Sequence, residues 1–184
     1  MAAPPTITTL DLSGTYVMNK TLSDDTDEIL RLQGMGWFKR KAIRLATLTL
    51  TVRHYSEEGV EHIDIDQTLT GGIPASTEIR VLDWQPREHE DPNFGHVLGK
   101  SRRIKVEDIE NEFLKTGWLP DTVEHGTINS YVESHTEKSG SSWAAEQVWG
   151  FEEINGERRH VRHVAFTGPG GERINVRLVY DHYA

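Results

Sequence analysis

Residues 143–167 read WAAEQVWGFEEINGERRHVRHVAFT, and this stretch decides the fold. At its centre stands Asn155-Gly156, a pair in which both residues tolerate positive φ, between two long arms. That combination is the strongest short-range signal for a β-hairpin. On the first arm Trp143, Ala145, Gln147, Trp149 and Phe151 share one face, against Ala144, Glu146, Val148, Gly150 and Glu152 on the other. A period of two belongs to a strand, because successive side chains leave the backbone on opposite sides. The first set is bulky and apolar with a single amide. On the second arm Arg158, His160, Arg162, Val164 and Phe166 alternate with Arg159, Val161, His163 and Ala165, and neither set is purely apolar. Whichever face is buried, it includes a histidine. After the turn Gly168-Pro169-Gly170-Gly171 the alternation is clean: Ile174, Val176, Leu178 and Tyr180 against Arg173, Asn175, Arg177 and Asp181.

Outward from this hairpin, strands dominate. Leu10–Lys20 reads as the first, Ala46–Tyr55 and Val60–Thr70 as the next two, then Thr77–Gln85, Gly95–Lys105 and Thr127–Thr136. In Val60–Thr70 the residues Ile63, Ile65, Gln67 and Leu69 share a face. Arg87–Asn93 reads as a charged loop and Gly71-Gly72-Ile73-Pro74 as a break. Ser23 is the expected N-cap of a short helix that ends at Gly34, and Gly36 leads into a second with Met35, Phe38, Ala42 and Leu45 at helical spacing. A further short helix is predicted over Val106–Lys115. Many short antiparallel strands with closely spaced turns mean a sandwich or a barrel, so the fold class is all-β. The segment before Leu10, rich in Pro, Ala and Thr, is expected to be a flexible tail.

Composition narrows the chemistry. The 184 residues suit one domain, and 29 acidic against 20 basic side chains give a net charge of −9. Nucleic acids and anionic membranes attract clustered positive charge, so neither is an expected partner. With no cysteine there are no disulfides, thiolate nucleophiles or thiolate metal sites. No run approaches the roughly 20 apolar residues of a membrane helix, and no basic-then-apolar leader opens the chain. A cytoplasmic protein without integral membrane association is the expectation. Nine histidines invite a metal reading. His160 and His163, three apart on a strand, point to opposite faces, and the others show no ligand spacing, so no metal is expected. No Gly-x-Ser-x-Gly elbow or phosphate loop appears, and no cofactor is implied.

The order of elements resembles the intracellular lipid-binding proteins, the fatty-acid-binding branch of the calycin superfamily, in a divergent and enlarged form. The resemblance rests on Leu12-Ser13-Gly14-Thr15-Tyr16, on Leu32-Gln33-Gly34-Met35-Gly36-Trp37-Phe38-Lys39-Arg40-Lys41, on Thr77-Glu78-Ile79, on the Asn155-Gly156 hairpin and on Leu178-Val179-Tyr180-Asp181. It implies a single up-and-down barrel of about ten strands over residues 1–184, wide enough to enclose a ligand and capped by two helices across 24–45. The segment 87–123 is an insertion relative to the family. The resemblance also implies a partner, a small hydrophobic molecule held in the cavity. The family's carboxylate clamp of two arginines and a tyrosine is not kept: its arginine positions fall on Phe151 and Leu178, and only Tyr180 remains.

Candidate ligand-binding residues are therefore Tyr180, Arg162, Leu178, Phe151, Trp149, Gln147 and Trp143, with Met35, Trp37 and Phe38 at the lip of a portal. Parity carried through the hairpin places His160 and Arg162 inward, and an inward Arg162 needs a carboxylate, the ligand's or one such as Glu78. The alternative is that Arg158, His160 and Arg162 face solvent. Two functions remain open. One is binding of a lipid or apolar metabolite. The other is a cofactor-independent isomerase, cyclase or dehydratase using the same cavity, with His160, His163 or Tyr180 as candidate catalytic groups.

Overall fold

The computed structural model describes residues 1–183, apart from the side chains of residues 73 and 74. Ten antiparallel strands form one sheet in the order β4-β3-β2-β1-β10-β9-β8-β7-β6-β5. In chain order they are β1 (Gly14–Met18), β2 (Thr49–Glu57), β3 (Val60–Leu69), β4 (Ile73–Val81), β5 (Arg87–Asp91), β6 (Gly95–Ile104), β7 (Thr127–Ser134), β8 (Ala144–Ile154), β9 (Glu157–Thr167) and β10 (Arg173–Tyr183). Helices α1 (Asp27–Leu32) and α2 (Trp37–Leu45) follow β1; α3 (Glu112–Lys115), α4 (Pro120–His125) and α5 (Thr136–Ser139) flank β7. The sheet curls into a nearly closed barrel whose seam lies between β4 and the β5–β6 pair. A clip crosses the seam: Trp84 N–H donates to the Ser101 carbonyl at 2.8 Å, and the Trp84 ring lies under Arg102 and Lys100.

The charged run Arg87–Asp91 is a strand rather than a loop, paired with β6 and last in the sheet. Charged side chains suit an edge, where they discourage pairing with another chain. The break before β4 shrinks to Gly71-Gly72, closed by Gly72 N–H on the Leu69 carbonyl. The helix expected over Val106–Lys115 is split into a 3₁₀ turn at Val106–Asp108 and α3, because the Asn111 side chain caps the backbone N–H groups of Phe113 and Leu114. Ser23 does not cap α1; its hydroxyl bonds instead to Val179 of β10, and the helix starts four residues later.

The amino-terminal segment is no loose tail. Ala3 is 3% exposed and its N–H donates to Arg158, Thr9 is fully buried, and Arg103 and Arg158 donate to the Thr9 and Ile7 carbonyls. The segment crosses and seals the base of the barrel.

The segment between β6 and β7, residues 105–126, packs on the outer wall of the barrel. Ile109, Leu114 and Trp118 meet the outward residues Val148, Val161 and Val179. Gly150 makes this approach possible, since a Cβ there would sit 2.6 Å from Thr122 and 2.8 Å from Trp118. This wall explains the anomalous second arm of the hairpin. Residues 160–164 of β9 are buried on both faces, so both parities carry apolar residues and neither shows the polar, solvent-facing set of an ordinary outer strand.

Candidate functional site

Register fixes what points inward. Tyr180 pairs with His160, Leu178 with Arg162 and Val176 with Val164, while Arg162 pairs with Trp149 and His160 with Phe151. Even-numbered residues of β9 and β10 and odd-numbered residues of β8 therefore face the interior, which resolves the parity of 157–167. On the far side, Gln67 of β3 and Glu78 of β4 face the same space, joined by a bond from Gln67 Nε2 to Glu78 Oε1 of 2.6 Å.

At mid-height these strands assemble a polar layer within an apolar interior. Arg162 is 4% exposed. Its guanidinium carbon lies 4.0 Å from the Trp149 ring centre and 5.5 Å from that of Tyr180. Glu78 is the carboxylate it faces, 3.6 Å from its Nη1, and the same Glu78 oxygen accepts from Arg80 Nη2 at 3.1 Å. The Arg80 guanidinium carbon is 6.0 Å from the centre of the Trp149 ring. Trp149 is held in turn by its indole N–H on Gln147 at 2.9 Å. Nε of Arg162, Nε of Arg80 and the Ser130 hydroxyl are buried without a hydrogen-bond partner. Buried donors are nearly always satisfied, so unfilled ones beside aromatic faces are where a ligand oxygen would be received.

Electrostatics follow from burial and from these neighbours. Burial alone would raise the Glu78 pKa, but Arg162 and Arg80 more than offset it and hold the carboxyl below its ordinary value. Burial pushes the Tyr180 hydroxyl up, so it stays protonated. His160 is pushed down to about 3, first by burial and then by Arg162. It is a neutral imidazole whose Nδ1–H donates to the Gly150 carbonyl at 3.1 Å, packed among Tyr16, Phe151 and Tyr180. A neutral ring enclosed by three aromatics serves packing better than proton transfer.

The other candidates are dispersed. Trp149, Phe151 and Tyr180 belong to one cluster towards the base and Trp143 to another towards the rim, with Leu178 touching both. The five thus fall in two adjoining clusters rather than one. Trp143 borders a cavity of about 170 Å³ at the rim, with Glu133, Ser134 and Thr167. Phe38 is 83% exposed and meets Trp37 edge to face, so it faces solvent rather than the interior, and Met35 is the buried residue of that lip. His163 points to the outer wall, shielded from the interior by the sheet. Its Nδ1–H donates to the Phe113 carbonyl at 2.8 Å and its Nε2 lies 2.5 Å from Glu152, between the rings of Phe113 and Trp118. It fastens the outer segment and touches none of the mid-barrel groups. Arg80 was missed in the sequence. Its signal was parity: two residues after Glu78 on one strand, it must share that face. Among the described residues no group of three or more His, Asp or Glu side chains is arranged to hold a metal.

A nearly closed ten-stranded up-and-down barrel with this strand order and helical cap has the fold of the fatty-acid-binding proteins. Solved structures agree in fold: lipid binding protein 8 of Caenorhabditis elegans superposes with a TM-score of 0.57 at 12% identity, covering 93% of this chain and 94% of that one. A Schistosoma mansoni fatty acid binding protein in complex with arachidonic acid gives 0.53 at 10% identity, covering 94% and 96%. Whole-length relatives are nearer in sequence. The probable pericyclase scpY of Mollisia scopiformis is 31% identical over 183 residues, 98% of this chain and 94% of that protein. Pericyclase pydY of Acremonium sp is 28% identical over 186 residues, 99% and 97% of the two chains. This chain belongs to their family. No family model matches it.

Proposed function

We propose that this protein is a pericyclase, acting on a small, mostly apolar conjugated carbonyl compound held inside the barrel. The observation that carries the reading is Arg162, a buried guanidinium lying on Trp149 with an unfilled Nε–H and a carboxylate no nearer than 3.6 Å. The names of two full-length relatives support ring-closing chemistry over carriage. The fatty-acid-binding likenesses, at 10–14% identity, reach the fold and go no further.

In a pericyclic reaction electrons move round one ring of atoms. No atom enters or leaves, and no oxidant or proton is consumed. Such a reaction asks two things of a protein, and on this reading the interior serves both. The first is a folded substrate. Trp149, Tyr180, Leu178 and Val164 offer flat and apolar walls that favour a coiled over an extended chain, which brings the reacting carbons together and lowers the entropic part of the barrier. The second is polarisation. Arg162 N–H groups bonded to a carbonyl oxygen draw electron density from the conjugated double bond, and they do so most effectively in a site shielded from water. His160, neutral and packed, has no role in proton transfer.

The test uses a diene tethered to an α,β-unsaturated ketone, whose ring closure converts two π bonds into two σ bonds. Binding is followed by quenching of tryptophan emission, and closure by loss of diene absorbance and by the ratio of product stereoisomers. Binding with faster closure and a skewed isomer ratio is the expected result. Binding with the rate and ratio of free solution would leave a carrier.

A further inference from the structure

Most buried and half-buried arginines in this barrel are matched one to one with carboxylates; Arg102, on the outer face over Trp84, bonds the Asn129 side chain instead. At the base Arg158 pairs with Asp121 at 2.6 Å and Arg103 pairs with Glu61. On the wall Arg159 pairs with Asp181, and under the cap Arg40 pairs with Asp27 at 3.0 Å. In the middle layer, Arg80 and Arg162 share the single carboxylate of Glu78, and among the described residues neither has a second acidic partner. The remaining polar groups there, Gln67, Gln147, Ser130 and Tyr180, are neutral. The layer thus holds one more positive charge than negative.

Arginine does not give up its proton in proteins, so the layer cannot neutralise itself as a buried lysine would. A buried charge without a counter-charge is costly. The Trp149 face softens that cost for both guanidiniums without cancelling any charge. What the layer lacks is one negative charge, on an oxygen, attached to something apolar.

We propose that the substrate of this site is a mono-anion: an apolar conjugated body bearing one oxyanion, received by Arg162 and Arg80 on the side that Glu78 leaves open. This rests on the reading of the mid-barrel layer as the substrate site. Glu78 is then a specificity-determining residue. By matching one of the two arginines it sets the accepted charge at one, leaving a neutral molecule short of an attraction and a dianion in excess of it.

Two fluorescent probes share an aromatic body and differ by a sulfonate: 1-anilinonaphthalene-8-sulfonate and neutral N-phenyl-1-naphthylamine. Each is titrated into the whole protein, into Arg80→Met and into Glu78→Gln. The unaltered protein should prefer the sulfonate by about tenfold, the size expected for one charge-assisted contact. Arg80→Met should abolish that preference by weakening the sulfonate alone, and Glu78→Gln should widen it by about another tenfold. The neutral probe should respond by less than about twofold in either variant. Displacement by a medium-chain carboxylate and by an enolised 1,3-diketone of equal length then distinguishes the two sources of the oxyanion. Equal affinity for both probes, or equal shifts of both in Arg80→Met, would overturn the charge assignment while leaving the ring-closing reading intact. Failure of both probes to bind would remove the mid-barrel site, and both proposals with it. If Glu78→Gln does not fold, the Arg80→Met comparison decides by itself.

Discussion

The Arg162 guanidinium lies 4.0 Å from the centre of the Trp149 ring, directly across the β8–β9 pairing in which the two residues are register partners. Cross-strand neighbours on one face are the closest side chains a sheet can offer, so this stack is built into the register of the hairpin. It leaves the edge of the guanidinium free to donate. Replacing Arg162 by Met keeps most of the volume and removes the donors. A carbonyl-bearing ligand should bind roughly tenfold to a hundredfold more weakly to Arg162→Met, as expected for a charge-assisted hydrogen bond of about 1.5–3 kcal/mol. A hydrocarbon probe of the same shape should bind with unchanged affinity, and calorimetry on the pair reads the difference.

His160 should make the fold acid-sensitive. Its pKa is about 3 in the folded protein, against an ordinary value of 6.5, because it is buried beside Arg162. Below pH 6.5 the unfolded chain takes up a proton that the native state refuses. This contribution is fully present above pH 6.5 and is lost as pH falls towards 3, by up to about 1.4 kcal/mol per pH unit. Urea unfolding of His160→Phe between pH 4 and 7 should show a shallower acid limb than the unaltered protein. An imidazole resonance from His160 titrating near 6.5 would contradict the assignment.

The helical cap should open more readily than the barrel. α2 buries none of its side chains completely and is tied down mainly through Arg40, which bonds Asp27 and the Met35 carbonyl. Elements with few buried contacts open locally at low cost. Amide exchange across Asp27–Leu45 should be faster than in β8–β10 and should slow when an interior ligand binds. Equal protection of the two regions in the free protein would argue against a cap that opens.

Gly150 should be indispensable to the outer segment, because its open side faces the outer wall, opposite the side on which Trp149 enters the polar layer. Any Cβ there overlaps Thr122 and Trp118, so Gly150→Ala should displace α4 and destabilise the protein by about 1–3 kcal/mol, the usual cost of overpacking. Thermal unfolding measures the loss, and the emission of Trp118 should shift towards that of a wetter indole. Unchanged stability would mean that the segment can settle elsewhere on the wall.

The parts of this fold that could be read in the sequence are those where one physical rule acts alone. Asn155-Gly156 marked its hairpin because positive φ selects such residues, and both do adopt it. The alternation of β10 and β8 set the inward faces, and parity carried through the hairpin put Arg162 inside in need of a carboxylate, the ligand's or one such as Glu78, which does face it. Where two rules compete, the reading failed. β5 carries an edge strand's charges and so passed for a loop. Ala3 and Thr9 looked like a tail because nothing local shows that the base of a barrel needs sealing. His160 and His163 each presented as a titratable group. Only packing against Tyr16, Phe151 and Tyr180, or against Phe113, Trp118 and Glu152, shows the first as a core ring and the second as a fastening on the outer wall. Trp143 and Phe151 share a strand face yet sit at opposite ends of the interior, since parity fixes a side but says nothing of height.

The central claim is that Arg162 polarises a carbonyl held in the barrel, and a bound carbonyl reports this itself. An unsaturated ketone carrying ¹³C at its carbonyl carbon, measured by NMR at saturating protein, should move downfield on binding, because hydrogen bonds from a guanidinium withdraw electron density from that carbon. In Arg162→Met the same ligand, at a concentration raised to restore saturation, should show a carbonyl resonance close to its position in an apolar solvent. A downfield shift of equal size in both proteins would contradict the account and place the polarising group elsewhere.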